Sequence, residues 1–168
     1  MRSKSSKYIV AALVGCTLTS TAALAAVDAA KIYEARHTKF HAIANAFKAI
    51  METSKSEKPD TALVASQAKI IEGLAHKIPT WFPAGTGAES GVKTRAKAEI
   101  WTDSAGFAAA AKNLETQSIA LQSVATKGDI AALQAQVKAT GGACGACHTK
   151  YRGPEVDDDH DHEAHDHK

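Results

Sequence analysis

The sequence is short of thiols: three cysteines in 168 residues, of which Cys144 and Cys147 stand together near the C-terminus. No second pair in the core has zinc spacing, so a four-ligand structural zinc site is excluded. No segment alternates apolar and polar residues with period two over a useful length, which argues against sheet. It also removes the βαβ context that a thioredoxin-like redox pair requires. Glycine loops of the Walker and GxGxxG types are absent. The basic residues form no stripe that could neutralise phosphates, so nucleic acid is not an expected partner. Methionine is scarce as well; Met51 is the only one beyond the first residue.

The N-terminus carries Arg2, Lys4 and Lys7, then an apolar run, then an Ala23-Leu24-Ala25 exit. That pattern predicts a secretory signal peptide over residues 1–26, and export to the periplasm. Thr17, Thr19, Ser20 and Thr21 interrupt the run, which makes it a poor membrane span. A second reading stays open: residues 13–16 look like a lipobox, in which Cys16 would be lipidated and anchor the chain to a membrane. Loss of residues 1–26 takes three of the 20 basic residues and none of the 18 acidic ones, leaving 17 against 18. The mature domain is close to neutral.

Four helices are expected over residues 27–154. In the first, from about Asp28 to Ser54, Ile32, Arg36, Phe40, Ile43, Phe47 and Ile50 recur at three- and four-residue steps along one face. The second follows Pro59, with Asp60 as N-cap, carries Leu63, Ile70, Ile71, Leu74 and Ile78, and stops at Pro79. A third starts near Asp103, with Phe107, Leu114, Leu121 and Val124 inward. Gly128-Asp129 ends it and caps the fourth, whose stripe is Ile130, Leu133, Val137, Thr140, Cys144 and Cys147. The expected fold is all-α, an antiparallel up-down-up-down four-helix bundle. Between helices two and three lies a long connection with both tryptophans, two prolines and three glycines. Such loops are often functional; the plainer reading is a surface crossover whose aromatics cap the bundle.

Cys144-Gly145-Ala146-Cys147-His148 is the C-x-x-C-H signature of c-type haem attachment. On a helix, positions i, i+3 and i+4 share a face. Both sulfurs can then bond one porphyrin edge while His148 stands beside it as an axial ligand to the iron. The position near the C-terminus, behind three other helices, resembles the cytochrome c′ family. "ARHTKFHAIANAFKAI" looks like that family's first helix. "FPAGTG" and "TRAKAEIWTDSAGFAAAAKNLE" look like its crossover and third helix, and "CGACHTKYR" like its haem-binding helix. The resemblance spans about residues 28–153 and implies one covalent haem c.

By that resemblance Arg36 pairs with a haem propionate, His37 lies near the propionates, and Phe40 takes the distal position. Some relatives have methionine there and are six-coordinate electron carriers, but phenylalanine cannot ligate. Met51 lies eleven residues farther on, roughly 16 Å along a helix, and cannot reach the same iron. His37, His41 and His76 remain as rival ligands, since imidazole suits iron. The main expectation is a five-coordinate iron under an apolar cover, which binds nitric oxide or carbon monoxide better than dioxygen. The alternative is an electron carrier between periplasmic redox proteins, with a six-coordinate haem. Neither reading makes the chain an enzyme.

The resemblance also assigns Arg152 to the proximal pocket, one turn after His148; a surface ion pair is the plainer reading. Thr94, Arg95 and Glu99 match a segment that nears the haem edge in relatives, or are simply polar loop residues. Trp81, Phe82 and Trp101 are expected to pack around the haem or cap the bundle. Relatives often dimerise through helices one and two, so a homodimer is expected. Residues 155–168 are highly charged and lack aromatics, which predicts a disordered tail. His160, His162, His165 and His167 alternate with carboxylates there and could bind zinc, copper or nickel loosely.

Overall fold

The computed structural model describes residues 20–154, with side chains from Asp28 onward. Five helices occur in this span: α1 (Ser20–Ser54), α2 (Thr61–Ala75), α3 (Glu99–Thr102), α4 (Ser104–Ala125) and α5 (Ile130–Tyr151). The four long ones form an antiparallel bundle. α1 packs on α2, α2 on α4, α4 on α5, and α5 closes back on α1. Among the described residues no helix is long and apolar enough to cross a membrane.

The caps are where the local sequence puts them. Asp60 accepts from Leu63 N–H, Asp103 from Gly106 N–H and Asp129 from Ala132 N–H. Each carboxylate satisfies a first-turn donor that the helix itself leaves unpaired. Gly128, at φ +75°, supplies the left-handed residue between α4 and α5 that a side chain would strain. α1 begins at Ser20, eight residues before the expected Asp28. The alanine-rich stretch ahead of Asp28 is strongly helix-forming, so nothing local stops the helix there.

The core faces match the expected stripes, with shifts at Ile70 and Val124. Ile43, Ala46 and Ile50 are buried on α1, and Leu133, Val137, Thr140 and Ala143 on α5. On α2 the buried residues are Val64, Ala68, Ile71 and Ala75, while Ile70 is 44% exposed. α2 packs on α4, whose buried residues include Ala111, Ser118 and Ala125 beside Phe107, Leu114 and Leu121. Close helix approach favours alanine over the larger residues that a hydrophobic reading picks first. Val124 is likewise half-buried, with Ala125 taking the inward place. Ser118 and Thr140 are fully buried, and each hydroxyl donates to the carbonyl four residues back, Leu114 and Gln136.

The crossover from Ile78 to Thr102 is folded rather than loose. It contains 3-10 turns at Ile78–Trp81 and Ala88–Ser90 and the short helix α3, which the sequence reading did not include. Leu121, fully buried near the C-terminal end of α4, tests the core. Leu121→Ala should cost about 3 kcal/mol, the usual cost of a buried Leu-to-Ala cavity, measured by denaturant unfolding.

Candidate functional site

α5 presents Cys144 and Cys147 one turn apart, both free, half-buried and packed on the edge of the core. Burial raises both thiols, and Cys144 adds to the effect at Cys147. His148 follows at the exposed surface of the same helix. Partial burial, with the positive charges of Arg152 and Arg95, holds its imidazole below the ordinary value. A neutral imidazole keeps a lone pair for a metal. Of the four contacts that close the bundle, α1 against α5 is the thinnest. The cysteines thus lie in the helix that borders the least filled seam.

Across that seam the first helix buries a cation. Arg36 is 3% exposed. One of its terminal nitrogens donates to Thr86 O (2.9 Å) and Thr86 Oγ1 (3.2 Å), and the other to Thr94 Oγ1 (2.9 Å). Its guanidinium lies 4.7 Å over the Phe82 ring and 5.6 Å over that of Tyr33. Burial lowers its pKa, while Tyr33 and Glu89 act in the opposite direction. Its hydrogen-bond partners are all neutral oxygens. A buried charge is costly unless an anion compensates it. The guanidinium has five donors, and three hydrogen bonds leave capacity for a carboxylate.

Phe40, one turn after Arg36, is half-buried. It meets Trp81 edge-on at 5.2 Å and Phe82 at 6.1 Å. Phe82 in turn contacts Trp101 (6.1 Å) and Phe107 (5.1 Å), and Phe107 contacts Tyr151 (5.1 Å). Trp101 Nε1–H donates to Phe82 O at 3.1 Å and to Pro83 O at 3.2 Å. This aromatic layer runs from α1 through the crossover to the end of α5, and the two rings that Phe40 meets, Trp81 and Phe82, cannot ligate a metal.

The crossover also clasps the end of α5. Gly153 N–H donates to Arg95 O (2.7 Å), Arg95 Nε–H to Gly153 O (3.1 Å), and Lys97 N–H to Tyr151 O (3.1 Å). Ala96 and Arg152 form an antiparallel bridge. Asp103 adds a second tie. It caps α4 and accepts from both Lys150 Nζ and Tyr151 Oη (2.8 Å) at the end of α5. Gly106 makes that close approach feasible, since a Cβ there would lie 2.6 Å from the Tyr151 hydroxyl.

The structure therefore brings Arg36 and Thr94 into contact, and Arg95, Arg152 and His148 into one neighbourhood. Arg152 is not on the helix: its backbone is extended (φ −115°, ψ 126°), so it reaches His148 by charge rather than by a shared helical face. Glu99 stands apart, at the start of α3, paired with Lys97 at 3.3 Å. His37 and His41 are exposed and bonded to each other, His76 caps the C-terminus of α2 and is 3.5 Å from Glu115, and Met51 is 39% exposed. Cys16, His160, His162, His165 and His167 lie outside the described residues. Sequence reasoning missed Thr86, Tyr33 and Asp103 as contributors. Asp103 had a signal as a cap, but its reach to α5 spans 47 residues or more and leaves no local trace.

A family model for cytochrome c′ matches residues 31–152. The cytochrome c′ of Rhodospirillum rubrum is 38% identical over 144 residues, covering 86% of this chain and 95% of that one. A solved cytochrome c′ structure from Rhodobacter spheriodes aligns with a TM-score of 0.68 and 32% identity, over 76% of this chain and 98% of that one. A nitric oxide complex of a mutant cytochrome c prime from Alcaligenes xylosoxidans aligns with a TM-score of 0.64 and 26% identity, over 77% and 97%.

The clasp has a pH signature. Hydrogen bonds from Lys150, from Tyr151 and from Gly106 N–H hold the Asp103 carboxyl below its usual range. A depressed carboxyl stabilises the fold above its unfolded value, about 4, and loses that contribution as pH falls through the lowered folded value. Asp103→Asn should therefore lower Tm at neutral pH. The gap from the parent protein should narrow as pH drops below about 4, followed by thermal unfolding across the acid range.

Proposed function

The chain belongs to the cytochrome c′ family, whose members carry one covalently attached haem c, and on that premise we propose a periplasmic gas-binding haem protein with a five-coordinate, high-spin iron. Cys144 and Cys147 hold the porphyrin as thioethers, and His148 is the single protein ligand to the iron. The residues present fit the group. The paired thiols are free and half-buried on the helix whose contact with α1 is the thinnest in the bundle. The buried Arg36 donates only to neutral oxygens, with Glu89 acting on it by charge, so a propionate would give it a direct anionic partner. His37, exposed on the next position of α1, borders the same edge.

When bound, the haem would supply an iron able to take a small diatomic ligand. The chain decides what reaches the iron. Phe40 carries the reading: it is wedged against Trp81 and Phe82 and offers neither a ligand nor a hydrogen-bond donor. Bound dioxygen gains negative charge and needs a donor, whereas nitric oxide and carbon monoxide need less help. The bulk of the ring then limits access by size. The electron-carrier alternative needs a sixth ligand, and the rivals are engaged elsewhere, His37 with His41 and His76 beside Glu115. On the opposite side, Arg152 and Arg95 place positive charge near His148 and tune its basicity. Thr94 acts through Arg36, and Glu99 through Lys97 at the crossover's edge.

The basic, apolar and small-residue order of the first 26 residues supports export, with a Cys16 lipid anchor as the other route to the same compartment. Met51 on α1 and Ile70 on α2, both exposed, support a homodimer through those helices. The tail histidines add a loose zinc, copper or nickel site of their own.

Admitting a ligand requires Phe40 to give up two aromatic contacts, each about 0.5–1.5 kcal/mol. Phe40→Ala should therefore speed carbon monoxide and nitric oxide association about ten- to a hundredfold, as read by flash photolysis or stopped flow. Unchanged rates would take Phe40 out of the ligand's path and remove the support for this reading.

A further inference from the structure

The exposed face of α1 carries a pair of imidazoles, of which the haem reading uses only His37, as a residue at the haem edge. His37 Nε2 and His41 Nε2 are 3.1 Å apart, with ring centroids at 4.4 Å. Positions i and i+4 face each other across one helical turn, so the backbone itself holds the pair together. Tyr33, one turn earlier, stacks on His37 at 5.6 Å with ring planes only 19° apart, which fixes that ring from behind.

The separation has a chemical meaning. Two imidazole nitrogens bound to one divalent ion at about 2.0–2.1 Å and 3.1 Å apart subtend an angle of roughly 100° at the metal. That lies between the square or octahedral right angle and the tetrahedral angle. We propose that His37 and His41 form a chelating site for a divalent transition metal, with copper preferred over nickel and zinc by the usual affinity order. In the free pair one Nε2–H donates to the other Nε2. On chelation the donor ring carries its proton on Nδ1 instead, both imidazoles stay neutral, and both Nε2 lone pairs face the ion. No net proton is released and no redox partner is required.

Among the described residues no group of three metal-binding side chains forms, so water completes the coordination. The site is distinct from the iron and from the tail. Its occupation would brace the turn of α1 on which Phe40 sits, because the two ligands bracket that residue.

The tail histidines must be silenced without shortening the chain. In the full-length holoprotein carrying His160→Gln, His162→Gln, His165→Gln and His167→Gln, titration calorimetry with copper(II) should show one site per chain. Its electron paramagnetic resonance should carry splitting from two imidazole nitrogens. Adding His37→Gln or His41→Gln should weaken copper binding about tenfold or more, and with His41→Gln the haem absorption spectrum should stay unchanged. Either of two results would overturn the proposal: copper affinity unaltered by both substitutions, or a bound copper with a single imidazole nitrogen.

Discussion

The architecture depends on one buried cation. Arg36 sits on the core-facing stripe of α1, where hydrophobic residues would otherwise stand, and Thr86 and Thr94 of the crossover come to it. Its guanidinium also rests on Phe82, which belongs to the layer packed around Phe40. One side chain thereby fixes where the crossover runs, how the aromatics stack, and where an anion would be welcome. A neutral residue at this place would leave the threonine oxygens and the loop backbone without their shared donor.

A second constraint acts from the opposite end of the site. α5 carries the cysteine pair and His148, and its last turn is held by the bonds from Arg95, Lys97 and Asp103 to Tyr151, Gly153 and Lys150. The crossover is therefore a strap joined to α1 at one point and to α5 at another. Helices that meet only thinly can stay in register because the strap spans them. That explains how the bundle keeps its thinnest contact between α1 and α5 while α2 and α4 pack extensively.

What was legible in the sequence was local. Asp60, Asp103 and Asp129 cap their helices because a cap needs only the next three residues. The stripe Arg36, Ile43 and Ile50 is readable because helical period is a property of neighbours, and C-x-x-C-H because the spacing is the signal. What was not legible depends on distance or on tight packing. Ile70 faces outward while Val64, Ala68, Ile71 and Ala75 take the buried face, a choice made by the neighbouring helices. Thr86 meets Arg36 across 50 residues, and Arg95 meets Gly153 across 58. Arg152 left the helix to pair with Ala96, which no helical wheel can anticipate.

These constraints converge on Phe40, which in the proposed function would cover the iron's open side without supplying a ligand. The most direct measurement is the spin state of the holoprotein at neutral pH, in ferric and dithionite-reduced forms, by optical absorption and magnetic circular dichroism. The account predicts high-spin spectra in both forms, with carbon monoxide binding to the reduced protein without displacement of a protein ligand. A low-spin spectrum in the absence of added ligand would contradict it, because a second protein side chain would then occupy the position that Phe40 is argued to keep open.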